Sequence, residues 1–346
     1  MNGPDLNRAG LRGGRLRAYL EFIAAVLFFF SARSAAHNAA FRIAGPAWSP
    51  LFEQGLFLLL LIVVFAAFGL VFDRQAQPIA SQGLPLRAGW TREAGMGLAM
   101  GWGAAVACVL PLTVLGGIAV VLTPTLAAWG WLVADLAFFA LAAMAEEVAF
   151  RGYGFQRLEA VVGSVGASLG FAFFYALVQG SRGDLPGATR LSFVVSLMLG
   201  LVLSMAYVRT RALWVSWGLN FGWKASRALL FGLTVSGVSS HSPVVEGDPM
   251  GPLWLTGGGY GLDASWLALA VLLALMMVVY RATRDLDFEH NVPVIVPGGI
   301  AVDLDAAARR QHEAAMGAAE TAAPALVQIF PASGPVESKP GDVRES

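Results

Sequence analysis

The stretch Trp129-Gly-Trp-Leu-Val-Ala-Asp-Leu-Ala-Phe-Phe-Ala-Leu-Ala-Ala-Met-Ala-Glu146-Glu147-Val-Ala-Phe-Arg151 decides the fold class of this chain and marks its chemistry. Residues 129–150 are apolar over enough length to cross a hydrocarbon core, which takes about twenty helical residues. The run then ends on two adjacent carboxylates and an arginine. Neighbouring residues on a helix point about 100° apart, so Glu146 and Glu147 cannot face one partner together. Arg151 follows Glu147 at the i,i+4 spacing of an ion pair, and acid before base suits the helix dipole. Glu146 is left on a neighbouring face, where a carboxyl group can act on a water as general base. The plain alternative is that the cluster sits at the interface and only ends the span.

Composition places this stretch in a membrane. The chain is 57% hydrophobic and 13% charged, about half the charged share of soluble domains. Such a chain cannot cover itself with charge, so lipid is its expected solvent. Further apolar runs lie at 19–36, 56–72, 96–122, 161–178, 191–208, 213–233 and 264–280, about eight spans in all by the length criterion. Backbone groups in lipid must bond internally, so each run is read as a helix. The expectation is an all-α polytopic bundle over residues 19–284. A basic cytoplasmic N-terminus (1–18) precedes it. A mostly disordered cytoplasmic tail (285–346) follows, with one short helix over 301–323. The formal net charge of zero argues against nucleic acid as a partner. Cys108 lies inside an apolar run and reads as a small buried hydrophobe, with no disulfide framework or cysteine metal site.

Arginine sets the orientation. Arg8, Arg12, Arg15 and Arg17, then Arg74, Arg87 and Arg92, then Arg151 and Arg157, fall on one side of the bundle. Arg209, Arg211, Arg281 and Arg284 continue that set, while Arg33, Arg42, Arg182 and Arg190 fall opposite. The balance puts both termini in the cytoplasm. Residues 234–263, rich in Gly, Ser and Pro and without Lys or Arg, read as a long external loop. Arginine-rich, lysine-poor usage points to a high-GC bacterium and hence to its inner (plasma) membrane.

Charge inside a span is costly and usually paired or functional. Besides the Glu146 cluster, Phe171-Ala-Phe-Phe-Tyr175-Ala-Leu-Val-Gln179 ends on an amide. In Trp214-Val-Ser216-Trp-Gly-Leu-Asn220-Phe-Gly-Trp-Lys224, polar residues recur every fourth position and form one stripe on an apolar helix. Lys224 and Arg227 are expensive there unless they meet an acid or water.

These three motifs, in this order, resemble the signatures of the CPBP family, the type II CAAX prenyl endopeptidases and the bacterial bacteriocin-processing or Abi proteins. The resemblance covers about 126–233, with looser similarity through Gly261. It implies an intramembrane protease fold in which Glu146 is the water-activating base, Glu147 its partner and Arg151 the motif arginine. It also implies a histidine where Gln179 stands, a second where Asn220 stands, and an asparagine where Lys224 stands. Zinc accompanies the histidines in active relatives. The histidines of this chain are His37, His241, His290 and His312, none at a motif position. A catalytic zinc takes three protein ligands, mostly His, and Glu146 is the one candidate ligand left. The reading is therefore a homologue with reduced or absent metalloprotease activity, in which Lys224 reaches Glu146 or Glu147. The alternatives are an endopeptidase using Gln179 and Asn220 as oxyanion donors, a non-catalytic membrane scaffold, or a transporter. The expected partners are membrane lipid and a peptide or membrane-protein substrate.

Overall fold

A computed structural model gives the fold and describes residues 4–180, 188–237, 240–242, 244–286, 294–296 and 300–302. The chain opens with α1 (Pro4–Ile43) and α2 (Gly45–Val71), followed by the single turn α3 (Pro78–Ser81) and by α4 (Trp90–Val114). After β1 (Ile118–Leu122) come α5 (Leu126–Arg151), α6 (Tyr153–Gly180), α7 (Ala188–Thr210) and α8 (Trp214–Ala225). α8 passes into a π-helical turn, Ser226–Leu230. β2 (Val245–Pro249), the short α9 (Leu253–Thr256), two 3-10 turns and α10 (Trp266–Ala282) complete the membrane unit. Residues 292–346 form a separate unit, in which β3 (Val294–Val296) pairs antiparallel with β4 (Ile300–Val302).

The molecule is a polytopic helical bundle with its polarity turned inward. Five helical stretches are long and apolar enough to cross a membrane: Gly14–Ile43, Gly45–Val71, Trp90–Val114, Leu126–Gln179 and Arg190–Thr210; Trp266–Ala282 is apolar but shorter. Leu59, Val63, Leu169, Leu273 and Met277 point outward, while Glu147, Arg151, Asn220, Lys224 and Arg227 are buried. A water-soluble fold places these groups the other way round, and lipid is the solvent that rewards this arrangement.

The described residues correct four sequence readings. Residues 96–122 are not one span. The helix stops at Val114, Gly116 turns at φ 72°, and Ile118–Leu122, three of whose five residues are β-branched, pairs with Val245–Pro249 within the stretch expected to be a long external loop. The N-terminal flank is continuous with α1 rather than separate from it. Residues 301 and 302 belong to a strand, and the rest of the helix expected over 301–323 lies outside the described residues, as does Arg182.

The fourth correction matters most. The apolar runs predict a loop over 151–160, yet all of these residues but Gly152 are helical. The chain instead reverses at Gly163, whose φ of 79° and ψ of 170° break α6 into two arms. An L side chain is strained there, and glycine is not. Contacts pair off around that point. Phe155 lies 5.5 Å from Phe171, Phe150 lies 5.2 Å from Tyr175, and Glu146 meets Gln179. Gly163 is midway between Glu146 and Gln179 in sequence, so the hairpin brings them to one level. Arg151 thereby leaves the set of loop arginines and lies fully buried. Arg157 stays near the reversal, paired with Asp73 at 2.8 Å and close to Glu21 at 3.5 Å.

α8 is held by glycine. Gly97 and Gly101 of α4 face Gly218 and Gly222 of α8, each pair one turn apart, with no side chain between the backbones. A Cβ on Gly101 would meet the Leu219 carbonyl at 2.2 Å, and one on Gly218 the Ala94 carbonyl at 2.1 Å. Small residues at this spacing let membrane helices approach and gain dispersion energy where no hydrophobic force acts between them. With its glycine face fixed on α4, α8 turns the Asn220–Lys224 stripe toward α5.

Gly101→Ala is expected to destabilise the bundle by about 1–3 kcal/mol or more, the cost of overpacking. Gly103→Ala on the same helix, where a Cβ meets nothing within 4 Å, should leave it unchanged. Thermal unfolding of the two variants in detergent compares them directly; equal melting temperatures would remove the close-approach argument.

Candidate active site

Three elements meet at Glu146. α5 supplies Glu146, Glu147 and Arg151; the second arm of α6 supplies Tyr175 and Gln179; α8 supplies Asn220 and Lys224. Lys224 Nζ lies 2.5 Å from Glu146 Oε2. Asn220 Nδ2 donates to the same oxygen at 3.0 Å, and the Tyr175 hydroxyl donates to it at 3.4 Å. Gln179 Nε2 donates to Glu146 Oε1 at 3.3 Å and to the Tyr175 hydroxyl at 2.9 Å. The carboxylate therefore collects one ammonium and three neutral donors.

Glu147 turns to the adjacent face and serves a different partner. Its Oε1 accepts from Arg151 Nη1 at 3.0 Å, with both side chains fully buried, and from Asn220 Nδ2 at 3.1 Å. Arg151 also donates to the Gly200 carbonyl at 3.3 Å, and its guanidinium carbon lies 5.4 Å from the Tyr175 ring centre. Asn220 thus bridges the two carboxylates. Ser216 donates to the Leu213 carbonyl at 3.1 Å. The six residues read from sequence (Glu146, Glu147, Arg151, Gln179, Asn220 and Lys224) lie in one connected hydrogen-bonded cluster.

Burial decides what the cluster costs. Exposed ion pairs contribute little, but a buried charge stripped of its partner is strongly destabilising. The Lys224 and Glu146 side chains are 7% and 12% exposed. Arg227, one turn after Lys224, meets its acid elsewhere: Nη1 lies 2.7 Å from Asp263 Oδ1, and Nε donates to the Trp223 carbonyl at 2.9 Å. Ser236 donates to Asp263 Oδ2 through both its backbone N–H, at 3.0 Å, and its hydroxyl, at 2.9 Å. Lys224 and Arg227 are thus both paired.

Some polar residues of this region escaped the sequence reading. A cavity of about 50 Å³ runs from Glu146 and Gln179 to Arg33 on α1 and to Glu53 and Gln54 on α2. His37, one turn after Arg33, lies 2.8 Å from Glu53. These residues sit near the ends of α1 and α2, where polar side chains are routine, so no local signal singles them out. Asp135 lies mid-helix in α5, buried, and binds the His241 backbone N–H at 2.7 Å and the His241 ring at 2.9 Å. An acid inside an apolar run was the available signal. The paired Gly-x-x-x-Gly spacings were equally visible and equally overlooked.

A metal does not suit this donor set. An ammonium occupies one side of Glu146 and would repel a cation, and the two amides are weak ligands beside the imidazoles zinc prefers. Among the described residues, no three His, Cys, Asp or Glu side chains are grouped to hold a metal. His290 and His312 lie outside the described residues.

Residues 127–226 match the family described as type II CAAX prenyl endopeptidase Rce1-like. The match runs from the start of α5 into the π-helical turn and includes all seven residues of the cluster, Tyr175 among them. No curated protein matches the chain, and no solved structure does.

Lys224→Met is expected to destabilise the protein by about 3–5 kcal/mol, because it removes the ammonium that faces the buried Glu146 carboxylate. Adding Glu146→Gln to Lys224→Met should recover most of that loss. Unfolding of the single and double variants in detergent measures the coupling; strictly additive effects would mean that the two charges do not interact.

Proposed function

We propose that this chain is an intramembrane endopeptidase homologue that keeps the fold of its family and the position of the water-activating base, Glu146, with little or no peptidase activity. One observation carries the reading: Lys224 Nζ sits 2.5 Å from Glu146 Oε2. A general base must take a proton from water within hydrogen-bond reach. Here the acceptor oxygen already binds an ammonium, and Asn220 and Tyr175 crowd it further.

The replaced motif positions support the same conclusion. Gln179 and Asn220 stand where the family resemblance places histidines, and each spends its donor on Glu146. An amide can serve as an oxyanion donor, but here both are engaged within the cluster: Gln179 donates to Glu146 and Tyr175, and Asn220 to Glu146 and Glu147. In this reading the cluster is an internal polar core that locks α5, α6 and α8 together. Its outward role is to bind a peptide or membrane-protein segment rather than to cut it. The chain sits in a bacterial plasma membrane with both termini in the cytoplasm, as the arginine balance favours.

Purified protein is expected not to cleave membrane peptides under conditions in which a histidine-bearing relative does, and Glu146→Gln should change nothing in that assay. Product formation by the parent chain, lost on Glu146→Gln, would replace this reading with that of a working endopeptidase.

A further inference from the structure

An apolar cleft of about 330 Å³ opens between the second arm of α6, α7 and α10, away from the Glu146 cluster. Val165 and Leu169, Leu201 and Met205, and Met276 and Tyr280 form its walls. Along α7 it runs from Leu201 to Arg209, about 12 Å at 1.5 Å per residue. One leaflet of a bilayer core of about 30 Å is about 15 Å deep, so the cleft has the length of an acyl chain's path through one leaflet.

One end of this cleft is cationic. Arg209 forms part of its lining, and its guanidinium is fixed in place: Nε donates to Thr283 Oγ1 at 2.8 Å and Nη2 to the Tyr280 carbonyl at 3.1 Å. The group stacks 4.4 Å from the centre of the Tyr280 ring. Exposed Arg281 follows Tyr280 directly and exposed Arg284 lies one helical turn beyond Tyr280, while Arg211 lies two residues beyond Arg209. Among the described residues at this end, the acids are Asp285 and Glu159, and Glu159 is held by Arg211 at 2.8 Å. An arginine beside a tyrosine at a helix end marks the headgroup level of a membrane, and basic pockets between spanning helices bind anionic headgroups.

We infer that this cleft is a binding site for an anionic phospholipid, with an acyl chain along Leu169, Met205 and Met276 and the phosphate at Arg209, Arg281 and Arg284. The charge argues for lipid over a second copy of the chain. Copies share one orientation in a membrane, so a partner docked on this face would bring the same arginines to the same end.

The test is native mass spectrometry of the full chain in detergent, titrated with phosphatidylglycerol or with phosphatidylcholine of the same chains. The site predicts preferential retention of phosphatidylglycerol, weakened on the order of tenfold by Arg281→Gln with Arg284→Gln. It also predicts loss of that retention in Met205→Trp, which fills the cleft. The paired arginine variant changes only exposed side chains, so it stays informative if Met205→Trp fails to fold. Equal retention of the two lipids, no effect of the arginine variant, or dimers formed through this face would each overturn the assignment.

Discussion

The cost of holding a charge in a low-dielectric interior governs this structure. Glu146, Lys224, Glu147, Arg151, Arg227 and Asp263 are buried or nearly so, and every one of them is paired. Each pair joins parts of the chain that sequence separates or helix geometry fixes. Glu147 and Arg151 share one helix; Glu146 and Lys224 join α5 to α8; Arg227 and Asp263 join the turn after α8 to the turn before α10. In lipid there is no strong hydrophobic force between helices. The pairs therefore act beside close backbone packing to define which helix meets which, and at what height.

Much of the cluster was readable because helices impose regular spacing. Ser216, Asn220 and Lys224 recur every four residues, so one face was evident before any coordinates. Two adjacent glutamates followed by arginine at i+4 fixed the division of labour between Glu146 and Glu147 in the same way. What spacing alone could not supply was level. Arg157 looks like a loop arginine to any reading that counts charges, because nothing local reveals Asp73 and Glu21, which lie many residues away; the local Glu147 pair of Arg151 likewise says nothing of its depth. Gly163 gives little sign of being the reversal point, since a glycine inside an apolar helical run is common in membrane proteins. Once the reversal is known, the meeting of Gln179 with Glu146 follows from counting.

The strand Ile118–Leu122 shows a second limit. An apolar, β-branched segment after a helix has the composition of a span, and only the Gly116-Gly117 break argues otherwise. Its pairing with Val245–Pro249 satisfies backbone groups that a helix would have satisfied internally. The cavity-lining Arg33, Glu53 and Gln54 were missed for a different reason. Their roles depend on where α1 and α2 lean, and tertiary packing alone sets that.

The two buried cations at the end of α8 and in the turn after it, Lys224 and Arg227, differ in when their partners are made. Glu146 precedes Lys224 in the chain, so the acid is already synthesised when the lysine emerges. Asp263 follows Arg227, and the arginine must wait for a later stretch of polypeptide before it is neutralised. Synthesis from the N-terminus thus imposes an order on assembly: α5 and α8 can dock first, through Lys224 and the glycine contact with α4. The turn carrying Arg227 closes only when Asp263 and α10 arrive. A chain stopped between these two points would carry an uncompensated guanidinium at the edge of its membrane core.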